Sequence, residues 1–492
     1  MVDSQSYFVS GALDDGIPED HYSRFLVRFV DEFFPVLGIE EKKNKPGRPS
    51  LPVREMFKLI LYAYSCNVTD PNTIWDNCLY HKIYAYVSNG IKPSERSIRK
   101  FIGDYGYLFD IFLGCTLFFA NELGITDFKH LSVDGTIKKA YNSRYNVLNE
   151  KEIDLLLGFY SGSVIPRKKI KKLSRPAQKL MERTDLSDED KLELLKTLKK
   201  EIMSSGQRTV PVNDVEARWM HNKKNYEEIS QNVQSAVDTI SKLICAIKVT
   251  KGPTDHNELP EIVKKAIENI GYKPDYVSAD TGYHTETSFQ YLEKENIEAL
   301  IPDRKQTRKN RGKLSENPFH KDHFEYDAEK DIYICPNQKE LSLKYKITTK
   351  TNDNRQPDKI ERRYMNYTAC KSCDDLNKCC KGNARQITEF GSTASLETKA
   401  KMETSEYKEL FKERSSTVEA PFGTLKTYYK IDNLPITGIE RTEHYLSLFA
   451  VVYNLKVLFN KINNIFSNQD DIKYFMDQMR LTLSLDCKIT EK

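Results

Sequence analysis

Three acidic residues stand in sequence contexts that suit a site for divalent metal ions. Asp134 and Asp280 each follow a short apolar run and come one or two residues before a glycine, in HLSVDGT and YVSADTGYHT. Glu419 lies in the charged stretch RSSTVEAPFGTLK. Carboxylate oxygens are the ligands that Mg²⁺ prefers, and two such ions side by side catalyse phosphoryl transfer. Each acid alone is a weak signal, because aspartates open ordinary turns and charged helices carry ion pairs.

The predicted elements place these acids at a sheet edge and beside cations. A carboxylate at the end of a strand projects from the edge where α/β proteins bind ligands, which is our prediction for Asp134 and Asp280. Glu419 is predicted on a helix, with Arg414 five residues before it and Lys426 seven residues after it. Residues seven apart share a helix face, so Glu419 and Lys426 point the same way. Such a face suits a metal ion beside a cation that binds phosphate.

Five of the ten cysteines fall between residues 335 and 380. Cys370 and Cys373 form a C-x₂-C pair, the usual half-site of a tetrahedral zinc ion. Cys335 supplies a third thiolate, and either Cys379 or Cys380 supplies the fourth. We predict a structural zinc site, with unbound thiols or a redox-active C-x₂-C pair as the alternatives. The other cysteines are scattered and are predicted to be reduced core residues, which indicates a cytosolic protein.

Two short runs concentrate positive charge. Residues 167–175 (RKKIKKLSR) and residues 304–313 (RKQTRKNRGK) each hold six cations, which suits contacts with phosphates. A solvated loop explains either run equally well, so the runs alone do not decide whether the chain binds nucleic acid.

A basic amphipathic segment occupies residues 92–101 (KPSERSIRKF). It places a serine at a predicted helix start and then Arg96, Arg99 and Lys100 beside apolar residues, which is the pattern of the second helix of a helix-turn-helix. Short basic helices are common in proteins that do not bind DNA, so this segment needs support from the rest of the chain.

The hydropathy pattern divides the chain into a helical and a mixed part. Residues 22–34 carry a stripe of phenylalanines at helical spacing, and helices are predicted through residue 125. From residue 131 short strands come first and then alternate with helices, which predicts one sheet with helices around it. The strand at 131–133 is predicted to end at Asp134.

Composition excludes several classes of protein. The chain has 492 residues, of which 39% are hydrophobic and 30% charged, so we expect a folded globular protein. The net charge of +4 does not by itself indicate nucleic acid. No apolar run reaches the roughly 18 residues of a membrane span, and the N-terminal segment lacks the pattern of a secretory signal. We therefore expect a cytoplasmic protein that does not bind membranes.

Taken together, these segments resemble the DDE transposases of bacterial insertion sequences, which belong to the RNase H-like superfamily. The resemblance spans roughly residues 20–460 and rests on the following stretches: GRPSLPVREMFKLILYAYS, PSERSIRKF, SVDGT, YEEISQNVQSAVD, LICAIKVT before Asp255-His256, SADTGY and VEAPFGTLK.

The resemblance implies a set of site residues. Asp134, Asp280 and Glu419 would bind two Mg²⁺ (or Mn²⁺) ions. Lys426 and Arg414 would contact transposon-end DNA, together with the basic residues of the segment 92–101.

The resemblance also implies an α/β fold: an RNase H-like mixed sheet flanked by helices, an all-α N-terminal domain, and a small insertion between the second Asp and the Glu. The predicted limits are 1–125 for the helical DNA-binding domain, 126–302 for the first part of the catalytic core with a helical insertion at 145–212, 303–400 for the basic, cysteine-containing insertion, 401–465 for the second part of the core, and 466–492 for the tail.

The function expected from the resemblance is a DNA transposase. It would cut the ends of an insertion sequence and join the 3′-OH to target DNA by two-metal phosphoryl transfer. Its partners would be the terminal inverted repeats, the target DNA and a second copy of the chain, in the nucleoid of a bacterial cytoplasm. The alternatives are a DNA-binding protein derived from a transposase and a stand-alone nuclease of RNase H fold.

Overall fold

The computed structural model describes most of the chain. The described residues are 13–39, 51–164, 166–221, 226–310, 312–327, 329–349, 359–391, 393–429, 431, 433–466 and 470–477. Most of the predicted tail at 466–492 lies outside these residues.

The first part of the described chain is helical, as predicted. Its helices are α1 (Tyr22–Phe33), α2 (Val53–Ser65), α3 (Pro71–Tyr80), α4 (Lys82–Val87), α5 (Glu95–Tyr105) and α6 (Tyr107–Glu122). The phenylalanine stripe of α1 is buried, and the rings of Phe29 and Phe33 stack with centroids 4.5 Å apart. α5 begins where the serine predicts, because the Ser94 side chain accepts a hydrogen bond from the Ser97 N–H at 3.2 Å.

The first strand of the sheet is longer than predicted. β1 runs over His130–Lys139, so the prediction that it ends at Asp134 is wrong. Thr136 and Ile137, which follow the acid, continue the ladder opposite Val233 and Asn232. These β-branched residues suit a pleated strand, and the glycine at 135 does not interrupt it.

A helical excursion separates β1 from the next strand of the sheet. Its elements are β2 (Val147–Asn149), α7 (Glu150–Tyr160), α8 (Arg167–Ile170), α9 (Arg175–Glu182), α10 (Asp188–Ser205) and β3 (Thr209–Pro211). β2 and β3 pair with each other in an antiparallel manner at its base. Its apolar side chains form a cluster of their own, which includes Leu148, Leu156, Leu195 and Leu198.

The central sheet is mixed, which confirms the α/β class. Its further elements are β4 (Arg218–His221), β5 (Glu227–Asp238), β6 (Ile244–Thr250), α11 (Leu259–Ile270), β7 (Tyr276–Ser278), α12 (Glu286–Glu295) and β8 (Glu298–Leu300). β5 pairs antiparallel with β4, β6 and β1, whereas β1, β7 and β8 run parallel to one another. α11 connects β6 to β7, and α12 connects β7 to β8. Parallel strands need a long crossover of this kind, which a helix usually provides.

A second sheet follows the basic run. Its elements are α13 (Arg304–Asn310), β9 (Glu325–Asp327), β10 (Ile332–Ile334), β11 (Glu340–Thr349), β12 (Lys359–Met365), α14 (Tyr367–Lys371), α15 (Leu376–Cys379) and β13 (Gln386–Phe390). The five strands are antiparallel in the order β13-β12-β11-β10-β9. They enclose a small core of Phe324, Tyr333, Leu341, Tyr364 and Ile387.

Three helices complete the described chain: α16 (Thr393–Lys401), α17 (Ser405–Thr427) and α18 (Ile439–Ile465). The middle of α18, from Tyr445 to Leu455, is buried, and its Asn454 side chain bonds both the N–H and the C=O of Ile244 in β6. One hydrophobic cluster extends from Phe25 in α1 through the sheet to α18 and Met476. Among the described residues, no single helix has the length and apolar composition to cross a membrane, and only the pair α5–α6 passes this test, as two helices bent by 68°.

Candidate active site

The register of the sheet brings Asp134 and Asp280 side by side. β1 and β7 are parallel neighbours in which Ser132 lies opposite Ser278, and the two hydroxyls are 2.8 Å apart. Each acid is two residues further along its own chain, and neighbouring strands are about 4.8 Å apart. The two carboxylates therefore leave adjacent chain segments on the same side of the sheet. Asp280 follows the end of β7, as expected, whereas Asp134 lies within β1, so the expectation that both acids stand at strand ends holds only for Asp280.

The carboxylate of Asp280 also shapes the turn that follows it. Its Oδ1 accepts a hydrogen bond from the Gly282 N–H at 2.7 Å and caps the 3₁₀ turn Thr281–Tyr283. Asp280 itself is partly exposed. The acid is thus fixed by its own turn and still reaches solvent.

Arg414 connects α17 to the first acid. Its Nη2 donates a hydrogen bond to Asp134 Oδ1 at 2.9 Å, and the two side chains are 14% and 26% exposed. The resemblance implies that Arg414 contacts transposon-end DNA, but in this structure its guanidinium pairs with Asp134. The helix that carries Glu419 is therefore docked on β1 by this ion pair.

A further carboxylate, Asp255, lies beside Asp134 and Asp280. Its Oδ1 accepts hydrogen bonds from Gln234 Nε2 at 2.7 Å and from Asn232 Nδ2 at 3.2 Å. Asp255 entered the sequence comparison only as part of an Asp-His pair, and no pattern predicted it as a site residue. The sequence offers little signal for Asp255, because it lies in the loop that follows β6 rather than directly after the strand.

The phenol of Tyr283 lies close to these polar groups. Tyr283 is fully buried, and its hydroxyl donates to Gln234 Oε1. Burial raises the pKa of Tyr283 well above its usual value, and the negative charges of Asp255, Asp134 and Asp280 raise this pKa further. Tyr283 thus lies near all three carboxylates.

Glu419 and Lys426 lie on the exposed face of α17. The opposite face of this helix is buried through Val418 and Leu425, and Thr417 accepts a hydrogen bond from Lys242 Nζ at 2.9 Å. Within the described chain, Glu419 forms no hydrogen bond or ion pair with the aspartates. Its convergence with them stays a prediction.

The donor chemistry of the site fits a divalent cation. Mg²⁺ and Mn²⁺ prefer carboxylate oxygens, and Asp134, Asp255 and Asp280 supply them from partly exposed positions. Across the residues that the structure describes, no three His, Cys, Asp or Glu side chains already surround a common point as metal ligands. Because Arg414 holds one oxygen of Asp134, a metal ion at this position would have to share or replace that contact.

Four of the five clustered cysteines line one cavity. Cys335, Cys370, Cys373 and Cys379 contribute to a space of about 30 Å³ between the β10–β11 turn and the two short helices α14 and α15. The Lys339 N–H donates to Cys335 Sγ at 3.3 Å. Cys380 is not part of this lining, and its thiol faces the Gly382 carbonyl at 3.4 Å.

The basic face of α5 is exposed as the sequence predicted. Arg96, Arg99 and Lys100 are all on the surface, whereas Ile98 and Phe101 on the other face are buried. These cations are therefore free of the core and accessible to a phosphate backbone.

Three cations of the basic run at 304–313 make contacts within the protein. Lys305 Nζ donates to the Phe324 carbonyl at 2.7 Å, and burial lowers the pKa of Lys305. Arg308 pairs with Asp322 at 2.6 Å and Lys309 with Glu403 at 2.9 Å. These contacts anchor α13 to its neighbours, so this run contributes less free positive charge than its composition indicates.

Comparison with known families agrees with this geometry. The family described as Transposase DDE domain matches residues 203–455, about half of the chain. The chain belongs to the DDE transposases. A second family, Transposase domain (DUF772), matches residues 11–103, which include the basic face of α5. No curated protein matches the chain closely enough to count as a relative.

Membership of the DDE transposases has direct consequences. It implies DNA as the substrate and an activity of the nuclease or transferase class. The mixed sheet is consistent with the RNase H-like domain of such enzymes. Asp255, Asp280 and Glu419 fall inside the matched range, whereas Asp134 precedes it.

Proposed function

We propose that this DDE transposase cuts the ends of its insertion sequence and joins the 3′-OH to target DNA, at divalent cations held by Asp134, Asp280 and Glu419. The observation that carries the proposal is the register of β1 and β7, which sets two acids of a DDE transposase on adjacent segments beside the helix of Glu419. When bound, the cations would activate water or the 3′-OH and stabilise the leaving oxygen.

The chain's own residues would position the DNA. The exposed cations of α5 would contact the phosphates of a terminal repeat, and Lys426 would reach a phosphate near the scissile bond from the face of α17 that carries Glu419. Arg414 would hold Asp134 in place, and its positive charge would offset part of the negative charge of the site. Two ends are joined in one event, so a homodimer on DNA is the assembly that we propose.

The insertion at 303–400 would add a structural zinc ion, held by Cys335, Cys370, Cys373 and Cys379. All four thiols line the same cavity, and C-x₂-C pairs supply half of most tetrahedral zinc sites. The zinc ion would stabilise the second sheet and take no part in the chemistry at Asp134, Asp280 and Glu419.

The test of the proposed function is a cleavage assay on DNA ends in Mg²⁺. We expect Asp134→Asn, Asp280→Asn and Glu419→Gln each to reduce strand cutting by at least a thousandfold, because each removes a proposed metal ligand. Binding of end DNA in a gel-shift assay should remain within a few fold of the parent. Asp76→Asn, on the exposed surface of α3, is the matched control and should cut normally.

The same assay separates the alternatives. A stand-alone nuclease would cut DNA without regard to terminal repeats, and a DNA-binding derivative would bind repeats without cutting in any metal ion. Full cutting by one of the three variants would remove that residue from the proposed triad.

A further inference from the structure

Asp255 packs unusually close to the backbone that carries the other two acids. A Cβ on Gly135, the residue after Asp134, would overlap Asp255 Oδ1 and lie 2.6 Å from Gln234 Nε2. A Cβ on Gly282 would lie 3.5 Å from Asp255 Oδ2 and 2.9 Å from Asp280 Oδ1. The carboxylate of Asp255 thus occupies space that Gly135 leaves open, and it lies in ordinary contact distance of the Gly282 turn.

A chain of hydrogen bonds fixes the orientation of this carboxylate. The Tyr283 hydroxyl donates to Gln234 Oε1, so the Gln234 Nε2 group is left to donate to Asp255 Oδ1 and to Asn232 Oδ1. Asn232 Nδ2 then donates to Asp255 Oδ1 and to the Gly252 carbonyl. Both amides therefore donate to the same oxygen of Asp255 and fix the orientation of its carboxylate.

The two oxygens of Asp255 are used differently. Oδ1 receives both amide hydrogen bonds, whereas no donor from the described residues reaches Oδ2, which faces the turn of Asp280 and Gly282. A carboxylate braced through one oxygen keeps the other available for a cation. The sheet and its amides hold this negative charge next to two others, an arrangement that a bound cation would stabilise.

We infer that Asp255 is a third carboxylate of the divalent-cation site, contributing its negative charge and Oδ2 beside Asp280. This inference rests on the proposed function, because it concerns the same cations. Asp255 raises the affinity of the site for the cation. The hydrogen bonds from Gln234 and Asn232 fix the position of its carboxylate.

The experiment measures binding of Mn²⁺ to the full chain without DNA, by the electron paramagnetic resonance signal of free Mn²⁺. Asp255→Asn keeps the shape of the side chain and an acceptor for both amides but removes the charge. A unit charge a few ångströms from a divalent cation changes its affinity by at least tenfold at the effective dielectric constant near a protein surface. We expect the Mn²⁺ dissociation constant to rise at least tenfold in Asp255→Asn, with an unchanged melting temperature.

Reference variants make each outcome decisive. Asp280→Asn reports a proposed ligand, Asp76→Asn is the remote control, and Asp255→Ser removes the charge with a smaller side chain in case the asparagine variant folds poorly. Weaker Mn²⁺ binding in Asp280→Asn but parental binding in Asp255→Asn and Asp255→Ser would overturn the inference and leave the proposed function intact. Parental binding in Asp280→Asn, or no binding by the parent, would overturn both.

Discussion

The ion pair between Arg414 and Asp134 shows how single residues connect the parts of the site. The guanidinium comes from α17 and the carboxylate from β1, and both side chains are largely withdrawn from solvent. A partly buried carboxylate needs a compensating charge, which the arginine supplies in this structure. A bound cation would supply the same compensation, so the arginine and a metal ion at this position would stabilise the same negative charge.

His130, at the start of β1, gives the protein a stability that depends on pH. The ring is buried and its Nε2 has no hydrogen-bond partner in the described chain. Burial, reinforced by the positive charge of Lys242, lowers the pKa of His130 from 6.5 to about 4. The unfolded chain takes up a proton below pH 6.5, whereas the folded chain does so only near pH 4. The folded state therefore loses stability as the pH falls through this window, by about 3 kcal/mol.

The measurement compares urea unfolding of the parent and of His130→Phe between pH 7 and pH 4. Phenylalanine keeps a ring against Tyr276, whose centroid is 6.0 Å away, and does not titrate. We expect the difference in the free energy of unfolding between the two proteins to shift in favour of the variant as the pH falls. Parallel pH profiles for the two proteins would show that His130 does not carry this dependence.

At the scale of elements, the sequence predicted what local patterns determine. The phenylalanine stripe of α1 and the capping serine of α5 depend on residues three to four apart, and both predictions hold in the structure. The predicted end of β1 at Asp134 was wrong. An acid followed by a glycine usually marks a turn, but the ladder with β5 continues the strand to Lys139. Pairing between distant strands overrode the local signal.

Asp255 shows why part of the site could not be predicted. It lies in the loop after β6, where no periodicity marks a residue, and its meaning depends on Gly135, Gln234 and Tyr283 from three other segments. Asp134 and Asp280 were predictable because each follows a short apolar run in the sequence, although β1 continues past Asp134. A contact made through the absence of a side chain at a glycine is visible only in three dimensions.

The predicted zinc site lies between the β10–β11 turn and the short helices α14 and α15. We expect the purified protein to contain one zinc ion per chain by mass spectrometry, and the Co²⁺-substituted protein to show the visible bands of tetrahedral thiolate coordination. Cys379→Ser should lose the metal ion, because Cys379 lines the cavity with the other three thiols. The neighbouring Cys380→Ser is the matched control and should retain it, because that thiol faces Gly382 instead.

Two results would contradict this assignment. A parent protein without zinc would leave the cysteines as unbound thiols or a redox pair. Equal loss of zinc in Cys379→Ser and Cys380→Ser would show that the choice between the adjacent thiols is wrong.

At the scale of the whole molecule, the helical first part and the sheet share one apolar core. α18 packs between them, and Asn454 bonds the backbone of Ile244 in β6 and the hydroxyl of Thr116 in α6. The same hydrophobic cluster includes side chains of α1, α2, α6, β6 and α18. Sequence families treat residues 11–103 and 203–455 as separate units, but their packing ties the basic face of α5 to the sheet that carries the acids.

This shared core predicts that both parts unfold together. The chain has two tryptophans, Trp75 in α3 and Trp219 in β4, so each single variant, Trp75→Phe or Trp219→Phe, leaves a fluorescent reporter in the other part. We expect the two variants to give coincident urea unfolding curves, because separating the parts would expose the apolar surface around α18 to water. If Trp75 instead reports a transition well separated from that of Trp219, the helices are an independent domain and could move relative to the sheet. Coincident curves would mean that DNA held by α5 is presented to the acids at a fixed distance, so that assembly of two chains, not movement within one, brings the second end to the site.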